Sequence, residues 1–195
     1  MKTPRSAWLL ALAVLTGAAK EPAMKTSPDP EIVAGLIQIA PPAGWRRTTY
    51  SNAGGADLVV AFERGADRLL VQVFGAKGSY YKNPADFFAG PAATTMGRAP
   101  ERTGEATVAG RPLALYRLHF PLMEGGPHDS TRRELRMGVE TFCVPPPFQD
   151  GRFIVLSLQR ESHVPDPDRV GEKAWEAFLR GVRLVTAKKT MGRKS

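Results

Sequence analysis

The sequence has a single cysteine, Cys143, among 195 residues, so no disulfide can form within one chain. It has no glycine-rich phosphate loop, no His-Glu-x-x-His helix, no EF-hand loop and no Gly-x-Ser-x-Gly elbow. These absences remove the motifs that most often identify nucleotide-binding proteins, metalloproteases, calcium sensors and α/β-hydrolases. We therefore expect a domain stabilised by its hydrophobic core, without a cofactor.

The body of the chain carries little net charge, although the whole sequence has a net charge of +8 and an isoelectric point near 9.9. Lys2 and Arg5 stand at the start, and four more cationic residues lie in the last eight positions. The remaining residues carry a net charge of +2. Because the basic character comes from the two ends, it does not indicate a charged face for nucleic acid, and none is expected as a partner.

Residues 1–19 have the pattern of a signal peptide. A short positive start precedes an apolar run at 7–15, and small residues at 16–19 suit cleavage. The run is too short for a permanent membrane anchor, and the alternative is an N-terminal helix of the mature fold. Ala18 stands where a bacterial lipoprotein box requires cysteine. We therefore expect a periplasmic or extracellular protein that is not lipidated.

Composition divides the rest of the chain into three parts. Residues 20–30 are polar and rich in proline, as in a linker. Residues 31–186 carry the periodic apolar patterns of one folded domain. Residues 187–195 form a basic tail, which we expect to be disordered and to contact anionic surfaces weakly.

Alternating apolar residues predict three hairpins and two further strands. The clearest hairpin runs from Asp57 to Ala76, where two β-rich runs flank a polar turn at 64–67 and place their apolar residues on one face. A second hairpin turns at 109–112. A third joins the runs 133–144 and 153–160. Shorter strands are predicted at 31–40 and 46–50, and residues 94–102 read as a loop.

Two helices are predicted between and after these hairpins. Asn83 and Pro84 form a cap and a first turn, and Gly90 limits that helix. Asp166 and Pro167 begin a second helix, whose apolar residues recur at helical spacing from 170 to 182. This order predicts an α+β fold with an antiparallel sheet of about six strands covered by helices.

The element order and one turn resemble the PsbP-like superfamily, including the DcrB-like bacterial exported proteins and lipoproteins. The segment from Leu36 to Trp45 ends in a Pro-x-Gly-Trp turn, a Gly-Arg-Pro hairpin follows, and the last helix carries Trp175 and Phe178. The resemblance covers residues 31–186. It implies an α/β/α sandwich that acts as a non-catalytic accessory or interaction module. No motif here matches the family's metal-binding or partner-binding residues, so none is transferred.

Cys143 is a candidate nucleophile, with His119 or His163 as its base. Its position on the apolar face of an alternating strand favours a buried and inert thiol instead.

The sequence also offers hydrolase and metal-site candidates in two polar segments. His128, Asp129 and Ser130 are the residue types of a catalytic triad, but sequence neighbours in a glycine-rich segment favour a solvated loop. Carboxylates and imidazoles that suit a cation form two groups, neither with a recognised ligand spacing. These groups are Glu124, His128 and Asp129, and His163, Asp166 and Asp168.

Arginines supply one further candidate, a patch for an anionic partner. They occur at 46–47 and at 132, 133 and 136. The alternative is a solvated strand end.

We therefore expect an exported, non-catalytic module that binds a protein or another envelope component. The alternatives are a hydrolytic or metal-dependent enzyme using His128, Asp129 or Cys143, and an anion-binding surface protein. An enzyme needs its side chains in one concave pocket, whereas a binding module presents a flat or grooved surface with aromatic residues.

Overall fold

The structure is a computed structural model that describes residues 29–51, 55–90, 99–123, 135–162 and 169–185. The predicted signal peptide at 1–19, most of the linker at 20–30 and the tail at 187–195 lie outside these ranges and stay predictions. The elements are β1 (Glu31–Val33), β2 (Ile37–Ile39), β3 (Arg46–Ser51), β4 (Leu58–Arg64), β5 (Asp67–Phe74), α1 (Pro84–Ala89), β6 (Glu101–Val108), β7 (Arg111–Met123), β8 (Leu135–Cys143), β9 (Phe153–Glu161), α2 (Val170–Gly181) and β10 (Arg183–Leu184).

Seven strands form one sheet in the order β3-β4-β5-β9-β8-β7-β6, and every neighbouring pair is antiparallel. The predicted α+β class with an antiparallel sheet is confirmed, with one strand more than the six expected. A second sheet of three short strands has the order β1-β2-β10. No helix in the described ranges is long and apolar enough to cross a membrane.

The predicted single strand at 31–40 is wrong, because this segment is a small hairpin outside the main sheet. Ala34 and Gly35 both have positive φ, 53° and 70°, and the chain reverses there. β1 and β2 then pair with each other, and β10 pairs with the other edge of β2. The end of the loop predicted at 94–102 is also wrong, because strand β6 begins at Glu101.

The three predicted hairpins of the main sheet are confirmed. In the first, Arg64 pairs with Asp67 around a two-residue turn, and Gly65 takes φ 59°. In the second, Ala109 and Gly110 both adopt positive φ, as a tight turn between right-twisted strands requires. In the third, β8 pairs with β9.

The sheet is covered on both faces, one helix to each. One core contains Trp175, Phe178 and Leu179 of α2, packed on the even-numbered side chains of β9 and the odd-numbered ones of β5. The other core is an aromatic cluster in which Phe87 of α1 contacts the rings of Phe74, Phe142 and Phe153. Residues 153–158 of β9 are therefore all buried. This arrangement is the expected α/β/α sandwich.

Both helices form where the sequence predicts them, but α2 begins later. Asn83 caps α1, and its Oδ1 accepts a hydrogen bond from the Asp86 backbone N–H at 2.9 Å. The predicted start at 166–167 falls outside the described residues. α2 begins at Val170, after Arg169 in a left-handed conformation with φ 51°.

The loop between β5 and α1 is held by hydrogen bonds to the buried Asp57. Its carboxylate accepts from the Ser79 hydroxyl and from the Tyr80 backbone N–H, the latter at 3.1 Å. Gly75 lies against the β8–β9 connection, where a Cβ would come within 2.5 Å of the Gly151 carbonyl oxygen. The loop therefore has one defined conformation.

Replacing Gly75 and Gly78 by alanine separates backbone strain from steric clash. Both have φ near 90°, but a Cβ on Gly78 meets only the Ala56 Cβ, at 3.5 Å. We expect Gly78→Ala to lower the free energy of unfolding by about 1 kcal/mol through φ strain alone. Gly75→Ala adds the clash and should cost about 3 kcal/mol. Urea unfolding measures both, and equal losses would contradict the contact.

Candidate functional site

A groove of about 520 Å³ runs between helix α2 and strands β6 to β9. α2 forms one wall and the edge strand β6 the other. The side chains of β7, β8 and β9 that point toward α2 form the floor. The apolar part of the lining consists of Ala106, Leu115, Val139, Leu158, Trp175 and Leu179, and the polar part of Thr103, Glu105, Thr107, Arg117, Thr141, Arg160, Arg169, Glu172, Glu176 and Arg180.

Arg160, at the floor of the groove, is fixed by Asp67. Its Nε donates to one carboxylate oxygen at 2.7 Å and its Nη2 to the other at 3.1 Å, a bidentate pair between β9 and β5. Asp67 is 7% exposed, and a Cβ on Gly171 would lie 2.6 Å from its Oδ2. The carboxylate therefore lies against the first turn of α2, where the helix dipole favours negative charge.

The glutamates on the rim each lie beside an arginine. Glu172 pairs with Arg169 across one turn of α2. Glu105 on β6 accepts from Arg102 at 2.5 Å. Glu176 is 4.0 Å from Arg180. These side chains are about half exposed or more, so each pair adds little stability but balances the charge of the rim.

Arg117 differs from the other arginines of the groove. It projects from β7, and its cross-strand neighbours are Glu101 and Thr141. Within the described residues no carboxylate forms an ion pair with it. The groove thus combines an apolar floor, a fixed guanidinium at Arg160 and an exposed cation at Arg117, which suits an apolar group that carries a hydrogen-bond acceptor.

The predicted buried thiol is what the structure shows. Cys143 is fully buried, and burial raises its pKa to about 12. His119 is exposed on β7 and pairs with Val139, four residues along β8 from the cysteine. That spacing is about 13 Å, too far for a hydrogen bond. The proposed base at His163 lies outside the described residues.

The other candidate ligands lie in segments that the structure does not describe. His128, Asp129 and Ser130, with Glu124, lie outside the described residues, as do His163, Asp166 and Asp168. In the ranges that the structure does cover, no three His, Cys, Asp or Glu side chains come together to hold a metal ion.

Of the arginines in the predicted patch, those at 132 and 133 lie outside the described residues, and the other three do not lie on neighbouring strands. Arg46 and Arg47 lie on β3 and pair with Glu63 and Glu31. Arg136 lies on β8, and three strands separate β8 from β3. Strand spacing places the two backbones about 19 Å apart.

Glu140 on β8 is a buried carboxyl that sequence alternation did not distinguish from an outward-facing residue. It is 7% exposed, on the α1 face of the sheet, directly opposite Gln159. Burial raises its pKa above the ordinary value, and contact with Gln159 offsets only part of that effect. Phe142 lies two residues further along β8 on the same face, and this aromatic residue is the sequence signal that the face is covered.

The Cys143 thiol should not react in the folded protein. We expect no modification by Ellman's reagent at about pH 8, because both burial and the raised pKa suppress the thiolate. The same sample in denaturant should titrate one thiol per chain. Rapid labelling of the native protein would contradict the buried position.

Glu140→Gln should stabilise the protein at neutral pH. The folded state holds the carboxyl proton more tightly than the unfolded state, so Glu140 lowers stability as pH rises above about 4.5. We expect the variant to melt at a higher temperature than the parent at about pH 8, with the difference shrinking near pH 4. Glu101→Gln, which makes the same change at an exposed position on β6, is the matched control. A pH-independent difference would contradict the assignment.

The sequence matches no protein-family model and no curated protein. Solved structures that are similar to it include the following two. One is LpqN, described as involved in cell envelope biogenesis of Mycobacterium tuberculosis, at 15% identity, with 84% of this chain and 88% of that one covered and a TM-score of 0.40. The other is a point mutant of the protein Mog1, at 11% identity, with 82% and 97% covered and a TM-score of 0.43. Membership of the PsbP-like superfamily stays a prediction.

Proposed function

We propose that the chain is an exported, non-catalytic interaction module whose α2–sheet groove receives a segment of a partner protein in the cell envelope. The observation that carries this proposal is the groove itself, an apolar floor enclosed by charged walls. The pattern of residues 1–19 supports export.

The lining of the groove has the composition of a protein interface. Trp175, part of the core beneath α2, borders the groove, while Arg117 and Arg160 lie at its floor. Arg169 and Arg180 lie on the α2 wall. Tryptophan and arginine are enriched among the residues that dominate binding energy. An apolar side chain buried on Val139 and Leu158 contributes about 2 kcal/mol. Arg117 is placed to donate hydrogen bonds to a carbonyl or carboxylate beside it.

The chemistry of the groove supports binding rather than catalysis. Its lining includes no histidine, cysteine or serine, and its three glutamates lie beside arginines. A general base would need a free carboxylate or imidazole within reach of a nucleophile. The enzyme alternative therefore depends on His128, Asp129 and His163, none of which belongs to the described groove.

A photo-crosslinking amino acid tests where a partner binds. Placed at Thr107, on the β6 wall, it should capture one discrete envelope protein in cells. Placed at Ala89, on α1 at the opposite face of the sheet, it should capture none or a different set. Equal products from both positions would contradict a partner site in the groove.

Filling the groove should abolish that crosslink. Val139→Trp adds a large side chain to the floor, whereas Ala89→Trp adds the same bulk to an exposed helix position. We expect a loss of at least about tenfold in captured partner for the first and none for the second, with melting temperatures showing that both fold. Retained capture in Val139→Trp would mean that the partner binds elsewhere.

A further inference from the structure

One end of the main sheet collects exposed cations and exposed apolar side chains. This end is where β4 begins, β5 ends and β9 begins, since Leu58 pairs with Val73, and Phe74 with Phe153. The β6–β7 turn lies there too, because the first residues of β7 run beside the last residues of β8. The β1–β2 turn joins them through a hydrogen bond from Arg152 to the Ala34 carbonyl at 3.1 Å.

Four exposed cations lie at this end, which we name the basic end: Lys77, Lys82, Arg111 and Arg183. Arg111 and Arg183 line one crevice beside the β6–β7 turn. Lys82 and Arg183 donate to backbone carbonyls, and within the described residues none of the four forms an ion pair with a carboxylate.

The carboxylates near this end are already engaged. Asp57 accepts hydrogen bonds from the β5–α1 loop, and Asp150 pairs with Arg152 at 2.7 Å. Asp86 accepts from the Lys82 backbone N–H at 3.2 Å. Arg152 offsets Asp150, while Asp57 and Asp86 keep their formal negative charges. The four cations therefore outnumber these two carboxylates by two, which leaves a formal net charge of +2 at this end.

Exposed apolar side chains concentrate at the same end. In the described residues the large hydrophobic side chains that face solvent are Ile32, Tyr50, Tyr80 and Leu184. Tyr80 is 69% exposed on the loop that Asp57 fixes, and Leu184 lies in the crevice with Arg111. Tyr50 stands one residue before the end of β3, and Ile32 two residues before the β1–β2 turn.

We propose that the basic end docks on an anionic lipid bilayer. Lysine and arginine bind the negative headgroups, while tyrosine and leucine enter the interface between headgroups and acyl chains. A soluble polyanion would use the cations but would leave the apolar side chains in water. The combination therefore favours a membrane surface.

A fluorescent probe tests which part of the full chain meets the bilayer. Cys143 is buried, so an NBD label attaches selectively to a cysteine introduced by Tyr80→Cys or, at the opposite end of the sheet, by Arg64→Cys. With vesicles of phosphatidylglycerol and phosphatidylcholine, we expect a blue shift in emission at position 80 and none at 64. Pure phosphatidylcholine should give a smaller shift.

Variants that each remove one positive charge supply the quantitative test. Arg111→Gln should lower the partition coefficient on the anionic vesicles about fivefold, and added salt should weaken binding further. Arg64→Gln removes one positive charge from the other end of the sheet and should change the partition coefficient less than twofold. Equal shifts at positions 80 and 64, no shift at 80, or binding to soluble polyphosphate without any shift on vesicles would overturn the proposal.

Discussion

The structure depends on the burial of strand β9 on both of its faces. Residues 153–158 are excluded from solvent, including the small polar Ser157. A strand of this kind requires cover above and below, and burying its apolar side chains contributes roughly 2 kcal/mol each. α2 and the small sheet cover one face, and α1 with its aromatic cluster covers the other. The rest of the chain is arranged around that requirement, including the groove, which lies where α2 stops short of the outer strands.

Much of the fold was predictable because its signals are local. Turn residues such as Gly65 and Gly110, the cap at Asn83 and the helical spacing of Trp175 and Phe178 act within a few positions of one another. The β1–β2 hairpin was not predicted, because its turn begins with Ala34, a residue rarely found at positive φ, inside an otherwise continuous apolar run. The alternation of apolar and polar residues alone does not show where the chain reverses direction within such a run.

The groove and the basic end were beyond prediction because both depend on strand register and sheet order. Arg160 and Asp67 are 93 positions apart, and only the β5–β9 pairing brings them together. Arg111 and Arg183 meet through the third strand of the small sheet. The groove runs along α2 from Arg169 to Arg180, and Arg183 of the basic end follows that helix directly.

The edges of the main sheet differ in a way that limits self-association. β6 has a bulge between Arg102 and Gly104, which interrupts the regular row of backbone groups that another strand would need. β3 pairs with β4 without interruption over all six residues, so its outer row is regular. If two molecules pair through the edges of their main sheets, each has one suitable edge, which is β3. Two molecules can meet through β3 about a twofold axis, and the main sheets of that pair then present only β6 edges.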